Sequence, residues 1–256
     1  MTQPSEQQRL FICAHSVDRG LVLDLDPNAS LLATEQAADL YETRQEEAHL
    51  IRLFQARSRQ AIRLLDRYLF LMPTIPEEEN ALFSGFFEHI ASDYERLIDP
   101  ACNHHNINIL ISMLTKQIGN LNGLSILDFG CGTGLSFGPL IATGASVTGM
   151  DQSIRMRTIA QARGERVLTL NELMEWPRSF NGVIASYVFH LFPDVESVGA
   201  ICKKLKLGGA VIGNFHKGIG VDFAVELFHR FHCDAFAPEA TAETERHGKY
   251  LIFIKG

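Results

Sequence analysis

The run LDFGCGTGLS, Leu127 to Ser136, constrains the fold of this chain more than any other stretch, because three glycines crowd behind a short apolar segment. Glycine takes positive φ without steric cost, so the run reads as a strand ending in a tight turn that opens a helix. Such a unit offers a ligand the backbone of the turn and the N-terminus of the helix. The spacing narrows the choice of ligand. Dinucleotide turns follow G-x-G-x-x-G, whereas Gly130, Gly132 and Gly134 give G-x-G-x-G, and Leu135 stands where the third glycine belongs. Asp128 precedes the turn, and a carboxylate there repels a pyrophosphate.

From about Leu124 onward, β-rich apolar runs at 124–129, 145–150, 166–170, 182–187, 210–215 and 249–254 alternate with segments of helical character. That alternation predicts an α/β fold, a parallel sheet with right-handed crossovers and both faces covered. Gly208-Gly209 is expected to stop one helix and turn into the fifth strand. The segment before KYLIFI reads as a hairpin turning near His247-Gly248, which would place an antiparallel strand at one sheet edge. Earlier in the chain, Glu46 to Leu71 has the apolar stripe of a long helix, flanked by arginines, and a second helical region runs from Ala81 to Gly119. LVLDLDP, residues 21–27, fits one extra strand. The expected organisation is a mainly helical N-terminal extension, residues 1–80, before an α/β domain, residues 81–256. The arginine-flanked helix suits a lid, a homodimer contact or plain packing.

Charge excludes one class of partner. The formal charge is −7 and no run of Lys or Arg is present, so no track for a nucleic-acid backbone is expected. MTQPSEQQ lacks a signal-peptide apolar core, and no apolar stretch approaches the ~18–20 residues that span a bilayer. The cysteines, at 13, 102, 131, 202 and 233, are scattered without C-x-x-C, which argues for reduced thiols and a cytoplasmic setting.

A ligand with a cation beside a nucleoside satisfies Asp128 and the glycines together. S-adenosylmethionine has an α-amino group, a sulfonium and an adenosine, and no phosphate. The second strand supplies an independent sign: it ends in Gly149-Met150-Asp151, and a carboxylate there can accept from both ribose hydroxyls.

LDFGCGTG, GMDQS, the proline-ended NELMEWP, FNGVIASYVFHLFPD and CKKLKLGGAVI together resemble the ordered motifs of class I SAM-dependent methyltransferases, most closely the branch with quinone and secondary-metabolite enzymes. The resemblance runs roughly from Phe83 to Gly256. It implies a Rossmann-like sheet of seven strands with the last one antiparallel, S-adenosylmethionine as cofactor, and a small-molecule acceptor. It also implies that Asp128 and the backbone of Gly130, Cys131, Gly132 and Gly134 hold the methionine half, with cysteine tolerated at 131 because it is small. Asp151 would bind the ribose, with Gln152 beside the adenine. Glu172, or Asn171 if the loop is shifted by one, would read the adenine amino group, and Ser186 would lie under the cofactor. Tyr94 resembles a tyrosine that closes over the methionine end, although helix packing explains it equally. Asn181 and Leu207 depart from the usual Asp and Pro, at positions that do not touch the cofactor.

His190 and His216 fall just past the fourth and fifth strands, where a general base for the acceptor would stand; histidines in such loops also simply pack. His229, His232 and Cys233 have a metal-like spacing without identifiable partners, so no metal is expected. His104-His105 read as polar loop residues. The fourth strand ends in ASYV, which lacks the Asn/Asp-Pro-Pro-aromatic run of enzymes that methylate base amino groups. No G-x-S-x-G elbow or Walker lysine is present. The expected function is methyl transfer from S-adenosylmethionine to a small molecule, with neither nucleic acid nor membrane as partner. A SAM-binding scaffold without turnover is the alternative.

Overall fold

A computed structural model describes residues 9–14, 19–35, 38–43, 49, 52, 62–65, 68–73, 76–191 and 193–256. The chain divides into two units, Met1–Ile90 and Ala91–Gly256.

The first unit holds strands β1 (Arg9–Ala14), β2 (Ser30–Glu35), β3 (Ala38–Thr43), β4 (Ile62–Leu65) and β5 (Tyr68–Leu71), in the order β2-β3-β1-β5-β4. Helices α1 (Arg19–Leu25) and α2 (Pro76–Ile90) accompany them. The α2 helix presses close to the sheet at Gly85, where a Cβ would lie 2.5 Å from that of Ala38. Phe86 meets Tyr68 and Phe70 edge-on at 5.0 and 4.9 Å. Two expectations are corrected here. Residues 21–27 begin within a helix, because Val22 and Leu25, three apart, are the buried pair while Leu23 is exposed. The helix expected over Glu46–Leu71 ends instead in the antiparallel hairpin β4–β5; residues 46–61 lie almost wholly outside the described set. The run Tyr68 to Met72 is buried without interruption, as in a strand covered on both faces, and periodicity alone does not separate that from a buried helix turn.

In the second unit, α3 (Tyr94–Leu97) and α4 (Pro100–Ile118) lead into a seven-stranded sheet. The α4 helix starts where Asp99 accepts from the Ala101 amide at 2.9 Å, with Pro100 in the first turn, and stops at Gly119, whose φ is +86°. The chain then alternates β6 (Ser125–Phe129), α5 (Phe137–Ala142), β7 (Ser146–Met150), α6 (Ile154–Gln161), β8 (Arg166–Leu168), α7 (Leu170–Glu175), β9 (Phe180–Ala185), α8 (Val195–Lys204), β10 (Leu205–Phe215), α9 (Val221–Arg230), β11 (Cys233–Phe236), α10 (Ala242–Glu245) and β12 (Lys249–Lys255). The spatial order is β11-β12-β10-β9-β6-β7-β8. Strand order reverses between β6 and β9, and a crevice opens outside their carboxyl ends at such a switch point.

The antiparallel strand is not at the edge. Lys249–Lys255 pairs antiparallel with both β10 and β11, and the edge is β11, whose residues after Cys233 are exposed and give little apolar signal. Nor is the preceding link a tight hairpin at His247-Gly248, since residues 237–248 intervene and carry α10. The α8 helix ends at Lys204, four residues before the glycine pair. Leu205 already pairs with Phe180, and a bulge runs from there to Ala210.

Candidate functional site

The glycine turn joins β6 to α5 with Gly130, Gly132 and Gly134 at φ of +69°, +53° and +83°. The amides of Gly130 and Cys131 donate to the Met150 carbonyl at 2.8 and 3.0 Å, which fastens the turn to the end of β7. A Cβ on Gly130 would strike Val188 at 2.4 Å and one on Gly134 would strike Phe137 at 2.7 Å, whereas one on Gly132 would meet nothing within 4 Å. Two glycines thus serve packing, and the third leaves open space at the backbone. Beside it lies a cavity of about 340 Å³, including adjoining open space, lined by Tyr94, Asp128, Gly130, Cys131, Gly132 and Ser186. Asn103, Ile107, Thr133, Leu135 and Ser136 complete the wall.

Asp128 supplies the charge. Its side chain is 2% exposed and accepts a hydrogen bond from the Ser136 hydroxyl. Burial pushes its carboxyl up to about 7; the Ser136 bond opposes this and the nearby Asp151 adds to it. A desolvated carboxylate on a cavity wall, with a second carboxylate close by, selects a cationic ligand over an anionic one. Open space at Gly132 together with these acidic acceptors fits S-adenosylmethionine.

Asp151 is brought to the turn without lining the cavity. Its Oδ2 accepts from the Gly132 amide at 2.8 Å and its Oδ1 from the Ser153 amide at 2.9 Å. Arg157 donates to the carbonyls of Asp151 and Gln152 at 2.8 and 2.7 Å and fixes that loop. Glu172 stands apart. It closes a capping box at the start of α7, accepting from the Thr169 amide at 2.7 Å, and that bond holds its carboxyl below the usual range. Neither Glu172 nor Asn171 reaches the cavity wall. Cys131 is buried beside two carboxylates, which pushes its thiol well up and leaves it inert. Burial likewise raises the Tyr94 phenol to about 12, despite its hydrogen bond with Asn103. Glu95, the next residue, accepts from Thr133 at 2.8 Å and from Arg163, so α3, the turn and the end of α6 are tied together.

His190 and His216 meet each other, ring centres 5.8 Å apart, and both flank Tyr187 at 6.4 and 6.5 Å. Burial, then Lys217, lowers the pKa of His216. Among the described residues no group of three or more His, Cys, Asp or Glu is placed to hold a metal ion.

Sequence reasoning missed the polar cluster around Tyr187, the residue after Ser186. His104 and His105 lie within α4 rather than in a loop. From that helix, Asn106 donates to Ser186 Oγ at 2.8 Å and to Asn214 Oδ1 at 3.0 Å. Asn214 Oδ1 also accepts from the Tyr187 amide at 2.8 Å, and its Nδ2 donates to the His247 carbonyl at 3.0 Å. One signal was available: Asn214 interrupts the apolar AVIGNF, and a buried amide near the end of a strand must find partners.

Residues 127–213 match the family described as "Methyltransferase domain". An uncharacterized methyltransferase of Bacillus mycoides is 29% identical over 143 residues, covering 51% of this chain and 65% of that protein. One from Bacillus cereus is 28% identical over 174 residues, covering 64% of this chain and 74% of the relative. The chain thus spans less than two thirds of the length of the first of these. Among solved structures, magnesium protoporphyrin IX methyltransferase from Synechocystis superposes with a TM-score of 0.55 at 17% identity, covering 70% of this chain and 97% of that one. A sugar N-methyltransferase from Streptoalloteichus superposes with 0.52 at 12% identity, covering 65% and 92%. The shared fold is the class I methyltransferase fold. Among the described residues no helix is long and apolar enough to cross a membrane.

Proposed function

We propose that this chain, whose second unit is a class I SAM-dependent methyltransferase domain, transfers a methyl group to a small-molecule acceptor by in-line displacement. The observation that carries the reading is the buried Asp128 carboxylate on a cavity wall that opens at the Gly132 backbone.

S-adenosylmethionine, when bound, supplies a methyl group already activated on a positive sulfur. The protein's part is then binding, alignment and exclusion of water. Asp128 would hold the ammonium, Asp151 the ribose, and the turn backbone would lie against the methionine half. Tyr94, held by the Glu95 ties, would cover that end. The acceptor side would be the carboxyl ends of β9 and β10, where Ser186 joins the cavity to the Tyr187 cluster. The Synechocystis and Streptoalloteichus proteins act on a porphyrin and a sugar, acceptors of the small-molecule kind proposed here.

The test is calorimetric titration of purified protein, freed of bound ligand, with S-adenosylmethionine and separately with NADH. Micromolar binding of the first alone is expected. Binding of NADH alone, or of neither, would remove the reading.

A further inference from the structure

We propose that Tyr187, His247 and His105 form a proton relay from an acceptor hydroxyl to solvent, which makes hydroxyl compounds the substrate class of this site. The proposal rests on the methyltransferase reading above.

Tyr187 has φ +57°, a left-handed conformation that strains a bulky residue and persists only where its surroundings impose it. Asn214, fully buried on β10, imposes it: its Oδ1 takes the Tyr187 amide while its Nδ2 holds the carbonyl of His247. One amide thus aims both members of a pair distant in sequence. The Tyr187 hydroxyl bonds His247 Nδ1, and His247 Nε2 bonds His105 Nδ1 at 2.8 Å. The first residue adjoins the cavity wall at Ser186, His247 is 2% exposed, and His105 is half-buried on α4.

A single set of tautomers satisfies this chain with Tyr187 as donor: His247 protonated on Nε2 and His105 on its outward Nε2. Burial, then His105, then Arg246 lower the pKa of His247 and keep the middle member neutral near pH 7. The other groups around the chain leave this order intact. Cys102 Sγ sits 3.7 Å from both the Tyr187 hydroxyl and His247 Nδ1, too far to displace the bond between them. Tyr250 is engaged on Asn106, Tyr94 lines the cavity, and His190 and His216 flank the Tyr187 ring.

The step balances without a further reagent. The acceptor O–H bond breaks, the oxygen keeps the electron pair and forms the bond to the methyl carbon, and the carbon–sulfur pair returns to sulfur as a neutral thioether. The proton goes to Tyr187 Oη as the tyrosine's own passes to His247 Nδ1. The His247 Nε2 proton passes to His105 Nδ1, and His105 releases its outward proton to water. A carboxylate acceptor is already anionic, a neutral amine attacks through its lone pair before it sheds a proton, and a thiol ionises close to neutral pH, whereas a hydroxyl needs its proton removed as it attacks.

The test uses the full chain saturated with S-adenosylhomocysteine, which cannot react, and 4-nitrophenol as the probe, because its phenolate is visible by absorbance. The bound probe should ionise about tenfold more readily than the free one. Tyr187→Phe should abolish that shift while leaving product affinity within about threefold. Nitrogen-15 NMR should place the His247 proton on Nε2, and the Tyr187 Cζ signal should move together with the His247 nitrogen signals as the probe is bound. In His105→Gln, at a half-exposed position, that coupled movement should vanish from a folded protein. No uptake of the probe, ionisation indifferent to Tyr187→Phe, or a His247 proton on Nδ1 would each overturn the relay. Failure to bind S-adenosylhomocysteine at all would instead strike the methyltransferase reading, and the NMR arm would still judge the relay.

Discussion

The two sides of the cavity are built in opposite ways. The side at the ends of β6 and β7 is made of backbone: three left-handed glycines, amides donating to Met150 and Asp151, and two carboxylates within a short stretch of sequence. The side at the end of β9 reaches the cavity through Ser186 alone, and behind it stands a cluster of side chains from four separate segments, joined through Asn106 and Asn214. A cofactor common to many enzymes suits a local backbone cradle. The acceptor proposed above would meet groups that can change without disturbing that cradle.

If the division is real, each side should fail alone. The largest effect is expected at Asp128. Asp128→Asn should weaken S-adenosylmethionine about 100-fold, near 3 kcal/mol, by calorimetry, because a buried charge pair is lost. The melting temperature of this variant near neutral pH should hold or rise: burial pushes the native carboxyl up to about 7, above the ordinary aspartate range, so ionising it destabilises the ligand-free fold as pH climbs toward 7. Wild-type affinity in this variant would break the assignment.

Asn214→Leu should do the reverse. It strands the Tyr187 amide, the His247 carbonyl and Asn106, so a loss of about 2 kcal/mol is expected by denaturant unfolding, with cofactor affinity within about threefold if the protein stays folded. A large loss of cofactor affinity there would merge the two sides into one.

The pH dependence of binding is the next in size. The cofactor's ammonium needs Asp128 ionised, so affinity should fall about tenfold between about pH 8 and pH 6, as the carboxyl takes up its proton near 7. In Asp128→Asn the slope should disappear. The smallest effect is expected at Glu172. Glu172→Ala removes half of a capping box and should cost about 0.5–1 kcal/mol with cofactor affinity unchanged. A drop in affinity would mean that Glu172 leaves its cap to contact adenine.

The same contrast explains what the sequence revealed. Asp128, the glycines and Asp151 are fixed by local spacing, and β6, β7, β9 and β10 announce themselves as apolar runs. Tyr187, His247 and His105 carry no local sign of one another, because their bonds depend on the antiparallel insertion of β12 beside β10. That insertion was misread as an edge, since β11 exposes most of its short length. The first unit shows the other failure: Tyr68 to Leu71 satisfies a helical stripe and a buried strand alike, and only pairing with β1 and β4 decides.

The position of β12 also sets an order of events. Strand β11 is synthesised first, yet among the described residues its ladder runs through β12, which alone joins it to β10. Until then β10 presents a bare edge of buried apolar strand, the kind of surface on which nascent chains stick to one another. His247 sits just ahead of β12 and is carried in with it. A chain interrupted before Lys249 would therefore keep the glycines and carboxylates of the turn in sequence while lacking the strand that joins β11 to the sheet and the link that carries His247 to Asn214.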